Sequence, residues 1–78
     1  MPRYFFHIHN DIDVPDEEGQ EKADNLAAMQ AALDYARDLA STSVRSGTLN
    51  LQHFIVCVNE QGHEVGIVRF ADAVQVEG

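Results

Sequence analysis

The stretch from Arg3 to His9 constrains the fold more strongly than any other part of the chain. Three of its seven residues are aromatic, one is β-branched, and none is Gly or Pro. This composition is typical of a pleated, largely buried strand. We therefore predict a strand over residues 3–9 on which the rest of the domain packs.

A single long amphipathic helix is predicted over residues 25–44. Asp24 is a favourable N-cap residue, the segment after it is rich in alanine, and no Gly or Pro interrupts it before Gly47. Apolar residues recur three and four positions apart, which predicts one buried stripe. The predicted stripe consists of Leu26, Met29, Leu33, Ala36, Ala40 and Val44.

The remaining elements are predicted to be short strands. Pro15 lacks an N–H, so a strand over residues 12–14 should lie on a sheet edge, and a polar loop should follow it. A hairpin is predicted with strands over 53–58 and 64–70, joined by a turn at Asn59–Gly62, and a tail with one helical turn or a short extension follows. The order β-β-α-β-β over residues 1–78 predicts a single α+β domain, a two-layer structure with a mostly antiparallel sheet and one helix on one face. We expect the first strand to lie inside the sheet, between the short second strand and the hairpin.

The predicted strands are apolar on both faces, which one helix cannot cover. In the first strand Tyr4, Phe6 and Ile8 alternate with Arg3, Phe5, His7 and His9, and in the third strand Phe54, Val56 and Val58 alternate with Ile55 and Cys57. Periodicity does not decide which face the helix covers. We predict that a second copy of the chain, in a homodimer, or a protein partner covers the other face. The predicted interaction surface consists of Arg3, Phe5, His7, His9, Ile55 and Cys57.

The charge and cysteine content exclude several classes of function. The chain has 13 acidic residues against 5 Lys and Arg, a net charge of −8, and its cationic residues are scattered, so direct binding to nucleic acid is not expected. Cys57 is the only cysteine, which excludes a disulfide within the chain and fits a reducing compartment. No apolar run approaches the ~18 residues of a membrane span. We expect a cytoplasmic protein that does not bind membranes.

His7 and His9 are the candidate ligands of a metal site. They lie two apart in a predicted strand and therefore point to the same side, with Cα atoms roughly 7 Å apart. Two imidazoles at that spacing can bind a metal, and Asp11 and Asp13 follow closely and could add oxygen ligands. The alternative interpretation is a pair of partly exposed strand histidines beside a solvated acidic loop.

Catalytic motifs are absent from the sequence. There is no Gly-x-Ser-x-Gly elbow and no phosphate-binding Gly-rich loop, and nothing near Cys57 provides a base. We therefore expect a protein that is not an enzyme and carries no cofactor.

Several segments together resemble a family of small bacterial proteins that is a domain of unknown function. The resemblance is carried by the opening Met1-Pro2-Arg3-Tyr4-Phe5-Phe6-His7, the loop 16–19, the helix around Ala36-Arg37 and the segment Phe70-Ala71-Asp72-Ala73-Val74. It implies a short bacterial domain and supplies neither an activity nor site residues.

A second resemblance is to the antitoxin half of some bacterial toxin–antitoxin pairs. It is carried by Pro15-Asp16 and by the helix that begins Asp24-Asn25-Leu26. It implies an acidic protein that sequesters a small basic ribonuclease, which would suit the net charge of −8. The first expectation remains a non-enzymatic module for protein interaction or self-association, and the antitoxin-like binder is the alternative.

Overall fold

The computed structural model describes residues 1–10 and 12–74. An antiparallel sheet of five strands packs against one long helix, and a short helix follows the last strand, so the predicted α+β class is confirmed. In chain order the elements are β1 (Arg3–His9), β2 (Asp13–Val14), β3 (Gln20–Glu21), α1 (Asn25–Arg45), β4 (Phe54–Val58), β5 (Glu64–Arg69) and α2 (Phe70–Ala73). Strand β3 lies in the segment for which the sequence predicts only a polar loop. The predicted tail is described as far as residue 74, and residues 75–78 lie outside the described part.

Strand β1 lies inside the sheet. The strands of the sheet lie in the order β2-β1-β4-β5. Strand β3 pairs with the same edge of β1 as β2 does, but nearer the start of β1. The register with β4 places Phe5 opposite Val58, His7 opposite Val56, and His9 opposite Phe54. Because paired residues share a face, these pairs define one face of the sheet centre.

Helix α1 begins and ends with local hydrogen bonds that its sequence encodes. The side chain of Asp24 accepts a hydrogen bond from the backbone N–H of Ala27 at 2.8 Å. At the other end Gly47 has φ 95°, and its N–H donates to the carbonyl of Val44 at 2.9 Å. The N–H of Thr48 donates to the carbonyl of Ser43 at 3.2 Å. These paired bonds satisfy the last carbonyls and stop the helix.

The helix buries Ala36 and Ala40 as predicted, but the rest of the predicted stripe is displaced. The fully buried positions are four alanines spaced four apart: Ala28, Ala32, Ala36 and Ala40. Met29 and Leu33 are only partly buried beside them. The assignment of Leu26 and Val44 to the buried stripe was wrong, because 71% of Leu26 and 57% of Val44 is exposed. Alanine has no side chain beyond Cβ, so this stripe lets the helix axis approach the large residues of the sheet closely.

The helix covers the face of β1 that carries Tyr4, Phe6 and Ile8, which are all buried. Ile55 and Cys57 of β4 lie on that same face, and neither is exposed (0%). The core is completed by Val68 and by Phe70 and Ala73 of α2. Placing Ile55 and Cys57 on the interaction surface with Phe5 was therefore wrong, since the register puts these two sets on opposite faces.

Helix α1 also packs on strand β5 at a position that has no side chain, Gly66. Gly66 faces the helix, and a Cβ atom built there would lie 2.7 Å from Cε and 2.9 Å from Sδ of Met29. The methionine side chain thus fills the space that a larger β5 residue would occupy. Among the described residues, no helix is long and apolar enough to cross a membrane.

The alanine stripe leads to a stability prediction. Ala32→Leu should lower the free energy of unfolding by about 1–3 kcal/mol, because the extra methylene groups have no space between helix and sheet. Leu26→Ala, at the position that periodicity places in the core, should change it by less than about 0.5 kcal/mol. Urea denaturation of the two variants measures both effects, and the reverse order would contradict the observed helix orientation.

Candidate interaction surface

The sheet face opposite α1 is the candidate site, and we call it the open face. It is three strands wide, and paired residues on β1, β4 and β5 form rows across it. The rows are His9–Phe54–Arg69, His7–Val56–Ile67 and Phe5–Val58–Glu64. The side chains from β1 and β4 are half-buried by their neighbours, whereas Ile67 is 39% exposed and Arg69 and Glu64 are exposed.

His9 is held on the open face by two contacts. Its ring stacks on that of Phe54, with centroids 4.8 Å apart and planes inclined by 14°. Its Nδ1 lies 2.9 Å from Oδ1 of Asp13, which lies directly opposite His9 on β2. A carboxylate can only accept, so Nδ1 is the donor and carries a proton.

His7 has the opposite arrangement of protons. The backbone N–H of Asp16 donates to its Nδ1 at 2.9 Å, so Nδ1 is unprotonated and the neutral ring carries its proton on Nε2. The one lone pair that could bind a metal is thus already used in a hydrogen bond. His9, in contrast, has its lone pair on Nε2 when neutral.

The predicted metal ligands are therefore not equivalent. Only His9 offers a free imidazole nitrogen, and Asp11 lies outside the described residues. Within residues 1–10 and 12–74, no three or more His, Cys, Asp or Glu side chains are grouped so that they could hold a metal. The metal site stays a prediction, and it would require His7 to lose its hydrogen bond to Asp16.

Asp16 braces the edge of β1 between the segments that pair with β2 and β3. Its Oδ2 accepts a hydrogen bond from the N–H of Phe6 at 3.1 Å. Its Oδ1 accepts from the N–H of Glu18 at 3.2 Å and of Gly19 at 3.1 Å. Burial raises the pKa of the carboxyl, but the three N–H donors and the nearby His7 outweigh it, so the pKa is lowered overall. The carboxylate thus substitutes for a strand partner where β1 has none.

Gly19 is required where this loop meets β1. Its φ is +71°, a conformation that residues with a Cβ rarely adopt. A Cβ at this position would also lie 2.8 Å from the carbonyl oxygen of Tyr4 and 2.9 Å from the ring of Phe5. The loop therefore lies directly against the strand and supports Phe5 on the open face.

Arg3 lies at one end of the open face and is tied to the neighbouring loop. Its Nη1 donates to the carbonyl of Glu18 at 2.7 Å, and its Nη2 lies 3.7 Å from Oε1 of Glu21. Its backbone N–H donates to the carboxylate of Glu60 in the hairpin turn at 2.7 Å. Because its charge has partners within the chain, Arg3 belongs to the border of the surface, with Phe5, His7 and His9 further in.

Cys57 has no role on this surface. Burial raises the pKa of its thiol, so the sulfur stays protonated beneath the helix. Its place in the core agrees with its behaviour as a small hydrophobic residue.

The sequence reasoning missed the contributions of Phe54, Val56 and Val58 and of the whole of β5. The turn between β4 and β5 ends in Gly62, which has a positive φ, and a glycine at this position in a hairpin turn indicates how the two strands pair. However, the register also shifts between Cys57 and Val58, which periodicity alone does not reveal.

Comparison with known proteins identifies a family and no activity. Residues 3–71 match the model of the family described as Domain of unknown function (DUF6894). The match covers most of the chain, so the protein belongs to this family. No curated protein and no solved structure matches the chain significantly.

The hydrogen bonds that the Asp16 carboxylate accepts predict a pH-dependent contribution to the stability of the fold. Asp16→Ala should lower the free energy of unfolding at pH 7 by about 1–3 kcal/mol, because partly buried N–H groups lose their acceptor. The folded-state pKa of Asp16 is lowered, so its stabilisation is complete above the unfolded-state pKa of about 3.9 and is lost as pH falls through the folded-state value. The difference between wild type and Asp16→Ala should therefore shrink below pH 4.

The matched control for this prediction is Glu17→Ala, which removes an adjacent exposed carboxylate without a side-chain bond in the described structure. It should change the free energy of unfolding by less than about 0.5 kcal/mol. Denaturation curves at pH 7 and pH 3 measure all three proteins. A loss of unfolding free energy in Asp16→Ala that is larger at pH 3 than at pH 7 would contradict the proposed role of the Asp16 carboxylate.

Proposed function

We propose that this protein is a non-enzymatic module that binds a protein, either a second copy of itself or another chain, through the open face. The observation that carries the proposal is the apolar centre of that face. Val56 and Ile67 lie in the middle row, with Phe54 above and Val58 below. A face of this kind gains roughly 25 cal/mol for each Å² of apolar surface that a partner removes from water.

The chemical pattern of the face supports binding to protein. Its centre is aliphatic and aromatic, while charged residues such as Arg69 and Glu64 stand at its corners. Protein interfaces have the same organisation, with an apolar core and a polar rim. The side chains also project from paired strands, so little conformational entropy is lost when a partner binds.

Other features support the non-enzymatic part of the proposal. Cys57 is buried with a raised pKa, which makes it a poor nucleophile. The Nδ1 atom of His7 accepts a hydrogen bond from the backbone and is not available as a base. The proposal also assumes a bacterial cytoplasmic setting, which the lone cysteine and the opening motif of the chain support, and no direct contact with nucleic acid or membrane.

Site-specific crosslinking tests this function in the cells from which the protein comes. A photoreactive benzoylphenylalanine in place of Ile67 lies on the open face, and the same group in place of Leu26 lies on the exposed side of α1. Both original residues are exposed and apolar, so the two variants form a matched pair. We expect protein adducts at position 67 and few at position 26, with the adducts identified by mass spectrometry.

The identity of the adduct distinguishes the possible partners. Adducts with the chain itself indicate self-association, and adducts with a small basic protein indicate the antitoxin-like alternative. Equal crosslinking at the two positions, or none at position 67, would overturn the assignment of the open face as the binding surface.

A further inference from the structure

The charges at the corners of the open face are arranged as a self-complementary pair. Strand β5 carries Arg69 in one outer row and Glu64 in the other, with Ile67 between them. Both charged side chains are exposed, and within the described residues neither forms an ion pair. The backbone N–H of Arg69 donates to Asp72 at 3.3 Å, which leaves its guanidinium free of that bond.

We propose that the occupant of the open face is a second copy of the chain, packed sheet against sheet about a two-fold axis that crosses the strands at the middle row. The proposal rests on the function proposed above and names its partner. Rotation about this axis keeps β5 over β5 and exchanges the outer rows. Arg69 of each copy then faces Glu64 of the other, and this pairing occurs twice in the dimer.

The same rotation places like over like in the centre. Ile67 meets Ile67, Val56 meets Val56, and Phe54 meets Val58 of the other copy. On β4 and β5 apolar side chains therefore face apolar side chains, and the two ion pairs close the β5 edge of the interface. On β1 the same rotation places His7 over His7 and His9 over Phe5. Two packed sheets keep their strands within about 30° of each other, a rotation that a long arginine side chain can span.

The charge pattern disfavours a two-fold axis that runs parallel to the strands along β4. Such an axis would lay β5 over β1, with the outer rows unexchanged. Arg69 would then face His9, and Glu64 would face Phe5, so neither charge would meet an opposite one. Because like or unpaired charges at an interface are costly, the axis across the strands is favoured.

The size of the patch sets the expected affinity. Three strands about 4.8 Å apart and about five residues long cover roughly 15 by 17 Å. The area, roughly 250 Å², is about a third of the roughly 800 Å² that each partner buries in a standard complex. The dimer should therefore be weak, with a dissociation constant well above about 1 μM.

Charge reversal tests the geometry without altering the apolar centre. Sedimentation equilibrium is measured for wild type, Arg69→Glu, Glu64→Arg and the double variant, from micromolar to millimolar concentration. Each single reversal should raise the dissociation constant about tenfold, because it places like charges together twice. The double variant restores both pairs and should return to within about threefold of wild type.

The Glu64→Arg variant separates this proposal from a general effect of net charge. The chain carries −8, so replacing an acid by a base reduces repulsion between copies and would strengthen non-specific association. The proposed pairing instead predicts that this variant weakens the dimer. Circular dichroism and thermal unfolding of each variant establish that it is folded before its association is compared.

Three results would overturn the proposal. A monomer at millimolar concentration excludes a second copy as the occupant, although crosslinks from position 67 to another protein would leave the interaction function standing. A dimer that tolerates both single reversals excludes the two-fold axis across the strands. Failure of the double variant to recover, with both single variants weakened and all variants folded, excludes the pairing between Arg69 and Glu64.

Discussion

The close contact between the alanine stripe of α1 and one face of the sheet determines the rest of the structure. Four alanines let the helix lie close to β4, β5 and α2, so the core is formed by large sheet residues and small helix residues. One helix in this position covers a single face. The strands are apolar on both faces, and the uncovered side chains of Phe5, Val56 and Ile67 are the direct consequence.

The edge of β1 has a backbone N–H group without a strand partner, and the acidic loop after β2 supplies its hydrogen-bond acceptor. Neither β2 nor β3 pairs with the middle of the strand, where Phe6 has a backbone N–H to satisfy. The carboxylate of Asp16 accepts that hydrogen bond, and its own N–H donates to His7. A loop that sequence composition describes only as polar and solvated is thus a structural part of the sheet, and it also fixes the ring of His7 on the open face.

Local signals in the sequence predicted the local structure well. The aromatic run gave β1 with the bounds Arg3–His9, and Asp24 and Gly47 mark the ends of α1 as expected. The buried stripe of the helix could not be predicted in the same way, because periodicity favours large apolar residues such as Leu26. Which residues are buried depends on how closely helix and sheet approach, and that distance is a property of the packed structure.

The site was predictable only in part, for similar reasons. Alternation placed Phe5, His7 and His9 on one surface, as the structure has them. It could not decide which residues of β4 join them, because that depends on strand register, and the choice of Ile55 and Cys57 was wrong. The proton positions on His7 and His9 depend on Asp16 and Asp13, whose contacts with the histidines follow from the path of the loop.

Helix α1 covers one face of the sheet, and we propose that a partner covers the other. Methyl NMR with a soluble paramagnetic agent distinguishes the two faces. In dilute solution we expect strong relaxation of the Ile67 methyl groups and little relaxation of those of Ile55 and Val68. As protein concentration rises towards millimolar, Ile67 and Val56 should become protected. Strong relaxation of Ile55 would contradict the position of α1, and an Ile67 signal that does not change with concentration would exclude a second copy of the chain as the partner.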